Sequence, residues 1–111
     1  MSVIRSDFAI AGGGRWAIAL AQVAAAQTGR SVRLWIPDSR RRSHLRRERR
    51  HKTLVPELQQ LHQGVVLDDD PAELVASSHT IIIACAASEV RQLATELSPF
   101  LDGAHVVMHA V

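Results

Sequence analysis

With 111 residues, 47% of them hydrophobic, the chain suffices for one domain with a buried core, residues 1–111, but is small for a complete enzyme. Its lone cysteine, Cys85, excludes a disulfide framework and a cysteine-based metal site and favours a reducing compartment. Residues 1–7 lack the apolar segment of a signal peptide and no apolar run is long enough for a membrane span, so the expected location is cytoplasmic. The net charge is only +2, yet residues 40–52 hold eight of the 13 Lys and Arg, opposed there by Glu48 alone. Such segregation points to a polyanion, a partner surface or a solvated helix face.

In chain order, residues 7–11 read as a central parallel strand, because the run Phe8-Ala-Ile-Ala11 is continuously apolar. Gly12-Gly13-Gly14 follows, and from Arg15 to about Thr28 strong helix formers predict a helix stopped by Gly29. The spacing Gly12-x-Gly14-x-x-Ala17 is the dinucleotide-binding fingerprint with alanine in third place. Gly12 permits the tight turn, Gly14 lets a pyrophosphate approach the helix amides, and Ala17 keeps the helix close to the sheet.

Residues 31–36 predict a second strand, ended by Pro37, which completes a strand–helix–strand unit. Asp38 stands 24 residues after Gly14, where an acid would accept the adenosine ribose hydroxyls; it is equally placed to cap the next helix. The span Arg40–Lys52 predicts a polar helix in which only Leu45 is strongly apolar. Its arginines lie where the 2′-phosphate of NADP would be gripped, so NAD and NADP both remain open as cofactor. No aromatic residue is interleaved to stack a base, which speaks against nucleic acid.

Residues 53–63, broken by Pro56, predict an irregular connection with at most one helical turn. Residues 64–67 form a third short strand, and Asp68-Asp69-Asp70-Pro71 is read as helix-start chemistry in preference to a metal site. Thr80–Ala84 is the most apolar run and the fourth strand, beside the first; Cys85 and Ala86 then fall on the ligand side of the sheet. A helix over 89–97 precedes Pro99, and residues 104–111 form a fifth strand with an apolar open edge that favours a homodimer. The histidines support no metal site, and His109 alone lies near a ligand-facing strand end. The expected fold is α/β, a three-layer Rossmann fold with a five-stranded parallel sheet ordered 3-2-1-4-5 and helices on both faces.

These elements resemble the amino-terminal, cofactor-binding domain of NAD(P)-dependent glycerol-3-phosphate dehydrogenase. Gly12-Gly-Gly-Arg-Trp16-Ala-Ile-Ala-Leu-Ala21 is similar to the family's G-x-G-x-W-G-T-A-L-A, and Val32-Arg-Leu-Trp35 to its V-x-L-W. Val55-Pro56, Asp70, Ile81-Ile-Ile-Ala84, Arg91 and Pro99 follow at matching distances. The resemblance implies NAD or NADP as cofactor, with Gly12, Gly13 and Gly14 beneath the pyrophosphate and Arg15 and Trp16 over it. It also implies that Pro37, Asp38 and Arg40 border the adenosine ribose, and that Cys85 and Ala86 lie toward the nicotinamide. In the parent family, hydride passes between nicotinamide and the glycerol-3-phosphate/dihydroxyacetone-phosphate pair. Cys85-Ala86-Ala87 replaces the family's V-P-S, and His109-Ala110-Val111 stands where its ketone-polarising lysine belongs. The helical substrate domain is not expected within these 111 residues, so no residue of this chain is assigned a catalytic role and the chain alone is expected to be inactive. The rival expectation is a stand-alone, non-catalytic module serving as dinucleotide sensor or protein-interaction domain.

Overall fold

A computed structural model describes residues 8–110. Ala9, Ile10 and Ala11 have no exposed surface, and this run forms the middle strand, β1 (Ala9–Ala11). β2 (Val32–Trp35) and β4 (Thr80–Ala84) flank it in parallel, with Ile10 opposite both Leu34 and Ile82. β3 (Val65–Leu67) and β5 (Val106–Ala110) close the sheet, whose order is β3-β2-β1-β4-β5, the one expected from the sequence. The reversal of strand order falls between β1 and β4, where this architecture opens a crevice at the carboxyl ends.

Alternation of side chains sends β1 to two cores at once. Ile10, with Val32, Leu34 and Ala84, packs beneath α1 (Arg15–Thr28) and α2 (Ser39–Glu48). Ala9 and Ala11, with Trp35, Ile81 and Ile83, pack beneath α3 (Pro71–Ser77) and α4 (Val90–Leu97). The α1 face is lined by Ala17, Ile18, Ala21, Ala24 and Ala25, small enough for close helix–sheet approach. Its stop is as expected, with Gly29 left-handed at φ 67° and its amide on Ala25 O.

α2 is shorter than the sequence predicts. It ends at Glu48 instead of Lys52, because Arg49 turns left-handed (φ 59°) with its amide on Leu45 O. The Arg49 guanidinium supplies the reason, donating through Nη2 to His62 O at 2.8 Å and Val65 O at 3.0 Å. Arg46 Nη2 donates to Leu67 O at 2.9 Å. Val65 and Leu67 alternate with Gly64 and Asp68, whose main chains bond to β2, so these two arginines cover carbonyls on the open edge of β3. Arg42 donates to Ile36 O at 2.7 Å, and Arg41 Nη1 to Gly13 O. Half of the basic run is thereby spent fastening α2 to the sheet, and Leu45, fully buried, anchors its apolar side.

The acidic triplet divides in the same way. Asp70 caps α3 through Glu73 N at 2.9 Å, as the sequence suggests. Asp69 instead pairs with Arg46 at 2.6 Å, and Asp68, 1% exposed, receives the Arg33 guanidinium. Residues 53–63 form turns without a helix, and Glu89, the expected first residue of α4, instead ends a short 3₁₀ turn (Ala87–Glu89). The expected start of β1 at residue 7 and the end of β5 at residue 111 lie outside the described residues. Among the described residues no helix is long and apolar enough to cross a membrane.

Candidate functional site

Gly12 is dictated by packing. Its φ is 156°, and a Cβ built there would lie 2.0 Å from Ala84 O and 3.1 Å from the Ala17 Cβ. The turn must therefore pass against the end of β4 with no side chain in between. A Cβ on Gly14, in contrast, meets nothing within 4 Å, so that position faces open space. Gly14 is the N-cap of α1 and offers no side-chain acceptor, nor is any first-turn residue acidic. The leading amides of this 14-residue helix thus have no side-chain acceptor and no acidic neighbour in the first turn, and Gly14 leaves open space beside them.

Beside this turn lies a cleft of about 340 Å³, lined by Gly13, Gly14, Pro37, Asp38 and Arg41 from the β1 and β2 ends and by Glu89, Gln92, Leu93 and Glu96 opposite. Asp38 caps α2, its Oδ1 accepting from Arg40 N at 2.9 Å and Arg41 N at 3.0 Å. Those amide bonds, the one from Arg41 first, hold its carboxyl below the usual carboxylate range. Both bonds fall on Oδ1, leaving Oδ2 for a further donor.

The remaining predicted residues are placed less uniformly. Arg40 is exposed at the start of α2, next to the cleft. Trp16 is 51% exposed, and its Nε1 donates to Ala110 O at 2.9 Å, which ties the start of α1 to the end of β5. Arg15 turns away to an exposed ion pair with Glu57. Ala86 is exposed after β4, whereas Cys85 is 7% exposed and packs in the α3/α4 core. Burial, then the charge of Glu89, pushes its thiol up, so it is a neutral packing group. Sequence reasoning missed Arg41, Glu89, Gln92 and Glu96. Arg41 was hidden among identical neighbours, and the α4 residues reach the cleft only through the packing of a distant helix.

A larger hollow of about 790 Å³ lies over the β3 edge, lined by Gln22, Arg46, Arg49, Gln60 and His62 among others. Its two arginines are committed to main-chain carbonyls, and it is remote from the glycine turn, so the smaller cleft is the candidate site.

A parallel sheet reversing order beside a glycine turn, with a helix N-terminus open at that point, defines a Rossmann-class α/β domain. The family model described as NAD-dependent glycerol-3-phosphate dehydrogenase N-terminus matches residues 7–111, and the chain belongs to that family. A glycerol-3-phosphate dehydrogenase [NAD(P)+] of Rhodopseudomonas palustris (strain HaA2) is 36% identical over 93 residues, covering 84% of this chain and 27% of the relative. That of Azotobacter vinelandii is 30% identical over 105 residues, covering 95% and 30%. The chain therefore spans less than a third of the length of these relatives. The crystal structure of the Coxiella burnetii glycerol-3-phosphate dehydrogenase superposes with a TM-score of 0.84 at 23% identity, over 96% of this chain and 32% of that one. An imine reductase variant from Myxococcus stipitatus, solved in complex with NAD+, gives 0.64 at 21% identity, over 97% and 32%. At these identities the two structures speak to fold alone.

Proposed function

We propose that the chain is the NAD(P)(H)-holding domain of a glycerol-3-phosphate dehydrogenase-like oxidoreductase. The observation that carries this reading is the contrast between the two glycines. Gly12 is closed against Ala84, while Gly14 faces empty space at the start of an uncapped helix, which is the cradle a pyrophosphate requires. In this assignment Gly12 shapes the turn, and Gly13, Gly14 and the leading amides of α1 hold the pyrophosphate. Pro37, Asp38 and Arg40 border the adenosine ribose, with Asp38 Oδ2 accepting its hydroxyls. Trp16 walls the β5 side, Arg15 would exchange its exposed pair with Glu57 for the pyrophosphate, and Cys85 and Ala86 offer main chain at the end of β4.

A bound nicotinamide would supply the hydride chemistry; the protein supplies position. The relatives named above are glycerol-3-phosphate dehydrogenases, and glycerol-3-phosphate with dihydroxyacetone phosphate is the substrate pair assigned by that kinship. Polarising a ketone needs a cation near the nicotinamide, and the sequence His109-Ala110-Val111 offers no lysine there. The purified 111-residue chain is therefore expected to bind NADH or NADPH in calorimetry without catalysing turnover. Steady-state oxidation of NADH by dihydroxyacetone phosphate would overturn the inactivity, and absence of binding at millimolar cofactor would overturn the holding role. The second outcome would favour a non-catalytic interaction module, the reading prompted by Cys85-Ala86-Ala87.

The outer edge of the sheet bears on assembly. Val106, Val107 and Met108 of β5 are 56%, 46% and 53% exposed, unlike β3, whose edge carries arginines. We assign this edge to pairing with a second copy of the chain. Light scattering is expected to give twice the chain mass, falling to the monomer in Val107→Lys; a wild-type monomer at high concentration would remove the assignment.

A further inference from the structure

We propose that the pocket at the carboxyl end of α2 is a second anion site, one that takes a phosphomonoester group. It encloses about 290 Å³ and is lined by His44 and Glu48 of α2 and by Arg50, His51, Lys52 and Thr53 of the turn that follows. The cofactor cleft lies at the other end of the same 10-residue helix, about 15 Å away, and Arg40 stands on that side.

The basic run divides by what each cation is bonded to. Arg41, Arg42, Arg46 and Arg49 are spent on main-chain carbonyls. The Arg50 and Lys52 side chains are exposed, with no hydrogen bond or ion pair among the described residues. Helix chemistry does not account for them, because Arg46 and Arg47 already meet the negative end of α2 from its last turn and the Arg49 amide closes Leu45 O. The turn that carries them is nonetheless held in place. Val55, 4% exposed, donates its amide to His51 O at 2.9 Å, and the His51 ring tilts against that of His44 with centroids 4.9 Å apart. Two cations without partners therefore flank a histidine anchored to the helix.

The lining is rich in donors and poor in acceptors. The Leu54 amide donates to His51 Nδ1 at 3.1 Å, so the neutral ring carries its hydrogen on Nε2. That N–H, the Arg50 guanidinium, the Lys52 ammonium and the Thr53 hydroxyl can all donate. Glu48 is the one carboxylate in the lining, and Arg47 Nε donates to its Oε2 at 3.2 Å. Such a surface calls for a ligand with several acceptor oxygens and about two negative charges. A phosphomonoester presents three such oxygens on a tetrahedral centre and meets donors from different directions, where a planar carboxylate offers two.

The test follows the His44 and His51 ring resonances of the 111-residue chain by NMR at constant ionic strength, while inorganic phosphate or acetate is added. Phosphate is expected to shift both rings saturably, at a concentration at least about tenfold below that needed for acetate. Arg50→Gln combined with Lys52→Gln is expected to weaken phosphate binding about tenfold or more, with the melting curve in place and NADH affinity within about twofold. Arg91→Gln removes an exposed cation from α4 and is expected to leave phosphate binding within about twofold. Absence of a saturable shift, or a shift that survives the double variant, would overturn the site. An equal response to acetate would overturn the ligand class, and an equal loss in Arg91→Gln would reduce the effect to net charge. A parallel loss of NADH affinity in the double variant would merge the pocket with the cofactor cleft and overturn its independence. O-phosphoserine and a peptide containing it separate the sources of the group. Tighter binding of the peptide assigns it to a phosphorylated partner chain, and equal binding assigns it to a free phosphomonoester.

Discussion

Gly12→Ala is expected to destabilise the domain by about 3 kcal/mol or more, lowering the thermal midpoint by roughly 12 °C or more. The added methyl would stand 2.0 Å from Ala84 O, and that atom has nowhere to go. Ala84 ends a strand paired on both sides, with β1 and with β5, so relieving the contact means separating the turn from the middle of the sheet. The backbone adds to the cost, because φ 156° is a conformation that L side chains rarely adopt. Gly14→Ala forms the informative contrast. Its Cβ meets nothing within 4 Å at an ordinary φ of −95°, so denaturation should shift by no more than about 1 kcal/mol. Its methyl would instead project where a pyrophosphate must approach, and NADH affinity is expected to fall by about tenfold or more. Parallel denaturation and titration of the two variants checks the division. A Gly12→Ala protein as stable as the parent, or a Gly14→Ala protein with undiminished affinity, would contradict it.

The same contrast marks how far the sequence could be followed. Three glycines at fingerprint spacing, an alanine-rich helix and a short apolar strand determine one another locally, so β1, the turn, α1 and the strand order were readable from the chain alone. Asp70 before Pro71 was equally readable as a cap, because a cap is satisfied within four residues. Partners far along the chain were not. Arg15 and Trp16, which the family resemblance sets over the pyrophosphate, also bond to Glu57, 42 residues away, and to Ala110, 94 residues away, partners that no local pattern announces. The arginine run reads as a polyanion site, a partner surface or a solvated face, but Arg41, Arg42, Arg46 and Arg49 find main-chain carbonyls on β1, β2 and β3 connections, targets with no sequence signature. The end of α2 moved for that reason, since a non-glycine residue takes the left-handed form only when something beyond propensity holds it. The Glu89 and Glu96 side of the cleft was invisible likewise, being set by the packing of α4 through Leu93 and Leu97.

Asp68→Ala is expected to cost about 3 kcal/mol, a large share of the roughly 5–15 kcal/mol that holds a domain of this kind together. Asp68 is 1% exposed and receives Arg33 Nε at 3.1 Å on each oxygen, together with Nη2 on Oδ1. That bond, above all other influences, holds the Arg33 guanidinium more basic than usual, so it stays charged at any pH at which the protein folds. Removing the carboxylate strands this charge between β2 and α3 with only 15% of its side chain exposed, and no other carboxylate bonds to it among the described residues. The loss should fall well below this in the double variant Arg33→Met/Asp68→Leu, where neither charge is left buried. The Arg15–Glu57 pair provides the comparison, since its side chains are 60% and 57% exposed and water already solvates both. Glu57→Ala is accordingly expected to cost under about 1 kcal/mol. Urea denaturation of the four proteins separates the cases. If Asp68→Ala and Glu57→Ala cost the same, burial is not what gives the Arg33–Asp68 pair its weight. If the double variant is no more stable than Asp68→Ala, the loss arises from the Asp68 main-chain turn, where its amide meets Leu34 O at 2.9 Å, and the stranded charge is not the cause.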